Sequence, residues 1–376
     1  MDLTLEAYRN IVKNVGSRSD IATLCGVSKG FRYIAERALY NTLFMRNDDE
    51  TLLLCHTLIN SLRLAEYVDA LTISFSEDDS TEDSNSTDEG AYEPIQMNWL
   101  LVAQALKNTT RLRYLNVHIS ASEKAYSWIV DEATFQLRKF HCEFDWDHHL
   151  VAFLDRQTEL EDLFIADYRD DEPDTDTHTP PPLTLAANSI PKLSILECTF
   201  SEAAMAIVPG RPVTHLKTCF SHDELSAKRE EMYTLLSRIV LSTRPLRSLD
   251  IGDSLYTETF STELLASIAN TRSLIAELKH LGTLVLPIDG RERLQFYGLL
   301  MRFPSIQSVE FEVTEWDPPP SSPAALRALG GELRLYSPSV VRIIFVQDFE
   351  RSVVAAVDGI CRVDPEISTD LLWRER

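Results

Sequence analysis

The segment HCEFDWDHH, residues 141–149, is the best cluster of side chains in this sequence that could carry out chemistry. Imidazole nitrogens and carboxylate oxygens are the ligands that proteins often use for zinc and manganese. The candidate ligands here are His141, Asp145, Asp147, His148 and His149. The segment passes from a predicted strand into a turn, and its spacing puts no three of these side chains on one face. We therefore predict a polar strand end rather than a metal site.

Other sequence features also argue against catalysis. The chain has no GxGxxG, GxxxxGK[ST] or HExxH motif, which are the signatures of dinucleotide binding, P-loops and zinc peptidases. The six cysteines form no CxxC pair, so they fit neither a zinc module nor a secreted disulfide scaffold, and we expect buried, reduced thiols. We predict that the protein is not an enzyme and needs no cofactor. A hydrolase or metal enzyme on a related α/β scaffold is the third of three functional hypotheses.

Composition limits the possible partners. The chain has 376 residues, 44% of them hydrophobic, which is enough for a substantial core. A formal net charge of −22 repels nucleic acid, and no apolar run approaches the roughly 20 residues needed to span a bilayer. The first residues, MDLTLEAYRN, are acidic where a signal peptide is basic. We expect a cytoplasmic or nuclear protein that binds neither nucleic acid nor membrane.

A six-residue phrase recurs along most of the chain, with apolar residues at its first, fourth and usually sixth positions. Its ten copies are VDALTI from Val68, LRYLNV from Leu112, LRKFHC from Leu137, LEDLFI from Leu160, LSILEC from Leu193, VTHLKT from Val213, LRSLDI from Leu246, LGTLVL from Leu281, IQSVEF from Ile306 and VVRIIF from Val340. Successive copies begin 20 to 44 residues apart, mostly within or just above the period of leucine-rich repeats. The alternative is an unrelated α/β sheet protein with ordinary strands.

Segments with helical spacing lie between several copies of the phrase. They are MNWLLVAQALKNT, HLVAFLDRQT, EEMYTLLSRIVLST and STELLASIANTRSLIAELKHL. Strands that alternate with helices are typical of an α/β solenoid, in which parallel strands line the inner curve. The phrase resembles the leucine-rich repeat, but Ser120, Asp145, Tyr168 and Ser201 replace the usual Asn or Cys. We therefore predict an irregular, leucine-rich-repeat-like α/β solenoid over residues 47–376, with about ten parallel strands.

Two acidic stretches interrupt this pattern. Residues 76–91 hold seven acidic side chains and no basic one, and residues 167–182 are nearly as polar and end in three prolines. Neither stretch can bury enough apolar surface to offset the entropy of ordering, so we predict mobile insertions. They are either solvated loops without a role or regulatory, phosphorylatable loops that bind partners.

The first 46 residues have a different, helical pattern. LTLEAYRNIVKNV carries one apolar stripe and Asp20 to Leu43 carries another, with a GSRSD break between them. Ser17, Ser19 or Asp20 is a candidate cap for the second helix and Ser28 for a third. We predict three short helices here, followed by an amphipathic helix at about residues 49–65.

This helical segment resembles an F-box, the module by which substrate receptors bind the Skp-family adaptor of cullin-RING ubiquitin ligases. The matching positions are Leu3, Glu6, Ile11, Val15, Asp20, Leu24, Val27, Ser28, Lys29 and Phe31. Thr4 replaces the family's Pro, and Tyr40 replaces a frequent Trp. The run VSKGFRYIAERALYNTL is similar to F-box proteins of mushroom-forming fungi, in which a leucine-rich-repeat-like region commonly follows. The resemblance implies an adaptor surface made of Leu3, Thr4, Glu6, Ile11, Leu24, Val27, Leu39 and Tyr40.

The strand residues that alternate with the apolar ones are the candidates for binding a target. Because successive strand residues point to opposite faces, these side chains are expected in neighbouring rows on the concave side. The candidates are Tyr114, Asn116, His118, Lys139, His141, Phe164, His215 and Lys217. Toward the end we expect residues 356–373 to cover the strand surface, with Leu371, Leu372 and Trp373 packing on it.

These features favour a substrate receptor of an SCF-type ubiquitin ligase, with the adaptor on the helices and a target protein on the strands. The first alternative is an interaction scaffold with no ubiquitin-ligase link. In that case the apolar face of residues 1–46 only caps the end of the solenoid, as repeat arrays require.

Overall fold

The computed structural model describes residues 4–46, 48–76, 98–120, 126–167, 183–369 and 371–375. Internal contacts divide the chain into two compact units, Met1–Pro191 and Lys192–Arg376. Leu3 and residues 77–91 and 168–182 of the predicted insertions lie outside the described residues.

Three helices open the first unit, as predicted. They are α1 (Leu5–Lys13), α2 (Arg18–Val27) and α3 (Lys29–Tyr40). The side chains of Thr4, Ser17 and Ser28 accept hydrogen bonds from backbone N–H groups in the first turns of these helices. Such caps satisfy donors that have no partner within the helix.

These helices share a small core of their own, which we call the helical module. Val12, Ile34 and Ala35 are buried, and Tyr8 meets Phe31 edge-on with ring centroids 4.6 Å apart. A Cβ at Gly30 would lie 2.6 Å from the ring of Tyr8, so glycine permits this close packing. The glycine at position 30 of α3 therefore permits the tight contact of α1 with α3.

The rest of the first unit alternates strands and helices. The strands are β1 (Thr42–Met45), β2 (Ala70–Ser76), β3 (Tyr114–Ser120), β4 (Lys139–Cys142) and β5 (Asp162–Ile165). They pair in parallel in chain order. The helices are α4 (Asp48–Asn60), α5 (Leu62–Ala65), α6 (Trp99–Asn108) and α7 (His148–Asp155), with a 3₁₀ turn at Ser127–Val130.

The second unit continues the same alternation and ends differently. Its parallel strands are β6 (Ile195–Cys198), β7 (His215–Cys219), β8 (Ser248–Gly252), β9 (His280–Val285), β10 (Ser308–Glu312) and β11 (Arg342–Gln347). An antiparallel hairpin, β12 (Glu350–Val357) and β13 (Ile360–Val363), extends the sheet beyond β11. The helices are α8 (Ser201–Ile207), α9 (Leu225–Ile239), α10 (Glu258–Ala269), α11 (Arg272–Ile275), α12 (Gly290–Leu300) and α13 (Pro323–Tyr336), with a 3₁₀ turn at Leu372–Arg374.

The predicted α/β class with mostly parallel strands is confirmed, because each of the ten phrases overlaps a strand. The pattern did not predict β1, β12, β13, α8, α12 or α13, and the helix expected at 49–65 is broken at Ser61 into α4 and α5. In the part of the chain described here, no helix has both the length and the apolar composition for crossing a bilayer.

One copy of the phrase has a different register from the one predicted. The spacing puts Leu281 at the first position, but Leu281 pairs with Val309, the fourth position of the next copy. The buried Leu278 is the true first position, and a bulge after Leu281 shifts the remaining residues of β9 by one position. A bulge adds a residue without a partner, which a fixed spacing cannot anticipate.

Phe140 tests the core of the first unit. Its side chain is fully buried, and its ring centroid lies 5.4 Å from that of Phe153 in α7. We expect Phe140→Ala to lower the free energy of unfolding by about 3–5 kcal/mol, because it leaves a cavity between sheet and helix. The control is Phe349→Ala at a fully exposed side chain, with an expected effect below about 0.5 kcal/mol. Equal effects in urea denaturation would contradict this packing.

Candidate functional site

Strands β3 to β5 present a row of polar and aromatic side chains opposite the core, which we call the first polar face. The strand register places Tyr114 beside Lys139 and Lys139 beside Asp162. One step along, Asn116 lies beside His141 and His141 beside Phe164. The register thus agrees with the neighbouring rows that strand alternation predicts.

Ion pairs organise the charges of the first polar face. Asp162 lies 3.2 Å from Lys139 Nζ and 3.7 Å from His141 Nε2. Glu143 lies 3.1 Å from His118 Nδ1 through one oxygen and accepts a 2.9 Å hydrogen bond from the Ile119 N–H through the other. These contacts hold the side chains in place without neutralising the whole surface.

The first polar face keeps groups that a ligand can use. Tyr114 is 42% exposed, and the side chains of His118 and Lys139 are exposed to a similar degree. Asn116 Oδ1, by contrast, is buried. An aromatic ring beside mixed charges suits a peptide or protein ligand.

Strands β6 to β11 carry a second row, the second polar face, of which the sequence predicted only His215 and Lys217. Lys217 Nζ lies 3.9 Å from Glu197 and 3.7 Å from Asp250. Arg351 of β12 lies 3.2 Å from Glu310. The third and fifth positions of LSILEC, LRSLDI and IQSVEF carry most of these groups, so alternation within the phrase was the signal that could have found them.

A glycine and the bulge shape the centre of the second polar face. The carboxylate of Asp250 lies over Gly282, where a Cβ would be only 2.0 Å from Oδ1. Asp250 Oδ1 instead accepts a 3.2 Å hydrogen bond from the Thr283 N–H, and the Thr283 hydroxyl donates to Glu310 at 3.1 Å. Beside the bulge, Thr283 therefore donates to two carboxylates, once from its backbone N–H and once from its hydroxyl.

A polar cavity of about 200 Å³ lies on this face, lined by Asp250, His280, Glu310 and neighbours. His280 is 5% exposed, and neither ring nitrogen has a hydrogen-bond partner among the described residues. Burial lowers the pKa of His280 to about 4, although the Asp250 carboxylate acts in the opposite direction. Burial, followed by the charge of Asp250, raises the pKa of Glu310. Burial in this cavity thus favours the neutral forms of His280 and Glu310, although the lining is polar.

The C-terminal residues cover part of the second polar face. Leu372 and Trp373 are buried, which confirms their predicted packing role, but Leu371 is 63% exposed, so that part of the prediction is wrong. His215 is also buried, with Nε2 3.2 Å from the Glu375 carbonyl oxygen. His215 was predicted to bind a target from this row, but in this structure it is covered and not open to a target.

The predicted adaptor-binding residues of the helical module fall into three groups. Ile11 and Val27 are exposed apolar side chains, at 40% and 61%. Leu24 is half-buried against the module's core, and Leu39 and Tyr40 are half-buried at the end of α3. Thr4 and Glu6 are exposed at the start of α1, where Thr4 is its cap. Ile11 and Val27 are therefore the apolar members of this set that are open to a partner.

The polar cluster at residues 141–149 is engaged in local structure. Asp147 caps α7 by accepting a 2.9 Å hydrogen bond from the Leu150 N–H, and His149 Nδ1 lies 2.7 Å from Asp131. Among the described residues, no three His, Cys, Asp or Glu side chains are arranged to hold a metal ion. The capping contact accounts for the acidic residue at the start of α7.

A nucleophile motif in the helical module also has a structural role. GVSKG, from Gly26 to Gly30, has the GxSxG spacing of hydrolases, whose serine lies on a turn between strand and helix. Here the serine lies between α2 and α3, and its hydroxyl accepts a 3.2 Å hydrogen bond from the Phe31 N–H. Ser28 therefore acts as a helix cap.

Protonation of His280 gives a test of the cavity. Because the folded chain holds its pKa below the usual 6.5, the unfolded chain takes up the proton first, and stability is lost as the pH falls from about 6.5 toward 4. We expect His280→Leu to reduce the loss of unfolding free energy between pH 7 and pH 5 by about 1–2 kcal/mol. Urea denaturation at both pH values measures it. His56→Leu, at an exposed histidine, is the control, and equal pH dependence in both variants would contradict the assignment.

Comparison with known proteins places the chain in no family. No protein-family model matches it. A search of curated proteins also found no match. The resemblance of residues 1–46 to an F-box therefore stays a prediction, and the two polar faces are the sites on which a function has to be argued.

Proposed function

We propose that this chain is a non-catalytic substrate receptor of a cullin-RING ubiquitin ligase. The helical module binds a Skp-family adaptor, and the polar strand faces bind a target protein. The observation that carries the proposal is the exposed apolar pair Ile11 and Val27 on a module that already has its own core. Because the core of the module is complete without these two side chains, they are available to an adaptor, at positions where the F-box resemblance places adaptor contacts.

The proposed role requires positioning rather than chemistry. A receptor raises the local concentration of its target near the transfer machinery, so it needs two binding surfaces and no reactive group. The first polar face supplies one of these surfaces through Tyr114, Lys139 and Phe164, whose aromatic rings and charge lie in adjacent strands. Aromatic side chains in such rows are frequent contributors to binding energy.

A scaffold without a ligase link is the second candidate, and one observation favours it. Strand β1 follows the helical module directly and pairs with β2, and Glu36 of α3 forms a 2.5 Å ion pair with Arg63 of α5. The module is thus joined to the start of the strand array, as a terminal cap would be. Its exposed apolar pair is what a cap does not need.

Adaptor binding is tested by coexpression with a Skp-family adaptor. We expect Ile11→Asp with Val27→Asp to lower copurification at least about tenfold, because charge would be buried in the interface. Leu53→Asp is the control, since Leu53 is 69% exposed on α4 outside the module. Wild-type chain that does not copurify, or variants that copurify equally well, would favour the scaffold.

Target binding to the first polar face is tested by site-specific photocrosslinking. A crosslinker at Tyr114 should capture a protein, whereas one at Leu100, which is 65% exposed on α6, should not. Mass spectrometry would identify the captured protein, and Lys139→Glu should reduce its capture because it reverses a charge in the same row. Capture from Leu100 alone would assign binding to the helical side.

A further inference from the structure

The residues Leu372–Glu375, which we call the C-terminal strap, lie on the second polar face like a bound peptide. Leu372 packs in a buried apolar cluster with Ile344 and Val346 of β11 and Val353 of β12. The next residue, Trp373, is 4% exposed, and Lys217 Nζ lies 6.0 Å from its ring centroid. The strap thus begins with an apolar anchor and an aromatic side chain placed under a cation.

Charged groups fix the rest of the strap. Arg374 Nη2 lies 2.6 Å from Glu197 of β6, and its guanidinium lies 4.6 Å from the Trp373 ring centroid. Glu375 forms a 2.5 Å ion pair with Arg342 of β11, and its carbonyl oxygen faces His215. Four consecutive residues therefore meet four separate, complementary features of the face, which is the pattern of sequence-selective peptide recognition.

Several polar groups of the second polar face form no hydrogen bond with the strap. Both ring nitrogens of His280 and the hydroxyls of Ser248 and Ser308 are buried without hydrogen-bond partners in the described part of the chain. The register places these three residues side by side on β8, β9 and β10. Buried polar groups without hydrogen-bond partners cost free energy. A ligand that replaces the strap and forms hydrogen bonds with these groups therefore gains binding free energy that the strap does not.

We propose that the second polar face is a peptide-binding site, and that the C-terminal strap occupies it as an intramolecular ligand. The partner is an extended target segment with an apolar residue, an aromatic residue, an arginine and an acidic residue in that order. A polar side chain of this segment would hydrogen-bond with His280. The inference rests on the proposed function in one respect: it takes the segment that displaces the strap to belong to a target protein. It does not require the adaptor.

Competition with the strap determines the apparent affinity of the site for a free peptide. A tethered ligand acts at an effective concentration in the millimolar range, so a free segment binds only to the fraction of chains whose strap is released. Weakening the strap should therefore raise the apparent affinity for a free peptide. Loss of a structural contact alone would destabilise the chain without creating a binding site.

The test uses the full chain and a fluorescent peptide with the sequence EISTDLLWRER, residues 366–376. We expect the peptide to bind Trp373→Ala/Arg374→Ala chain at least about tenfold more tightly than wild-type chain, by fluorescence anisotropy. Leu371→Ala, next to the strap and exposed, is the matched control and should behave like wild type. A peptide with alanine at the positions of Trp373 and Arg374 should not bind.

Further variants decide the outcome. Adding Glu197→Gln to the strap variant should weaken binding at least about threefold, because the peptide arginine loses its carboxylate partner. If the double variant is unfolded by circular dichroism, Arg374→Ala alone is used, with the same expected direction. A folded variant that binds the peptide no better than wild type overturns the proposal. Dimerisation of wild-type chain through exchanged straps would assign the site to a second copy and overturn it too.

The peptide assay separates this inference from the proposed function. It contains no adaptor, so peptide binding together with failed adaptor copurification would support the site and contradict the receptor role. If the adaptor copurifies but a folded strap variant does not bind the peptide, the receptor role is supported and the peptide-binding site is contradicted.

Discussion

Each parallel strand buries one row of side chains under its helices, and this requirement determines what the other row can do. Leu216 of β7 and Leu249 of β8 lie side by side and are fully buried. The alternate residues Lys217 and Asp250 are therefore also side by side, on the opposite face. Stacking in register gives each polar side chain neighbours about 4.8 Å away, so charges in one row interact whether or not a ligand is present.

The two polar faces differ in how far their charged side chains are exposed to solvent. On the first, ion pairs such as Lys139 with Asp162 form at the surface, and Tyr114 stays exposed. On the second, the carboxylates of Asp250 and Glu310 are buried, whereas the side chains of Lys217 and Arg351 remain about one third exposed. Burial makes an unpaired charge costly, so the buried carboxylates of Asp250 and Glu310 each have a cation beside them, and the pKa of His280 is lowered. The same burial makes the strap's contacts selective.

The period of the apolar phrase was sufficient to locate ten strands because burial of one row fixes the residue type at alternate positions. It was insufficient where other forces define an element. Strand β1 lies in a segment with helical spacing, and β12 and β13 form an antiparallel hairpin outside the repeat. The bulge after Leu281 moved one copy out of register, and the Thr283 N–H beside it bonds to the Asp250 carboxylate of the neighbouring strand, a contact that local spacing does not encode.

The sequence by itself determined the α/β class, the three capped helices of the module and the polar rows of β3 to β5, because these depend on local periodicity and short-range hydrogen bonds. The sequence also predicted that the last residues pack on the strand surface, but only the tertiary structure decided which polar side chains they contact. The strap contacts Glu197, which is 177 residues before Arg374, and such a contact leaves no signal in local spacing. It arises because the chain returns to a strand face whose charges complement its last residues.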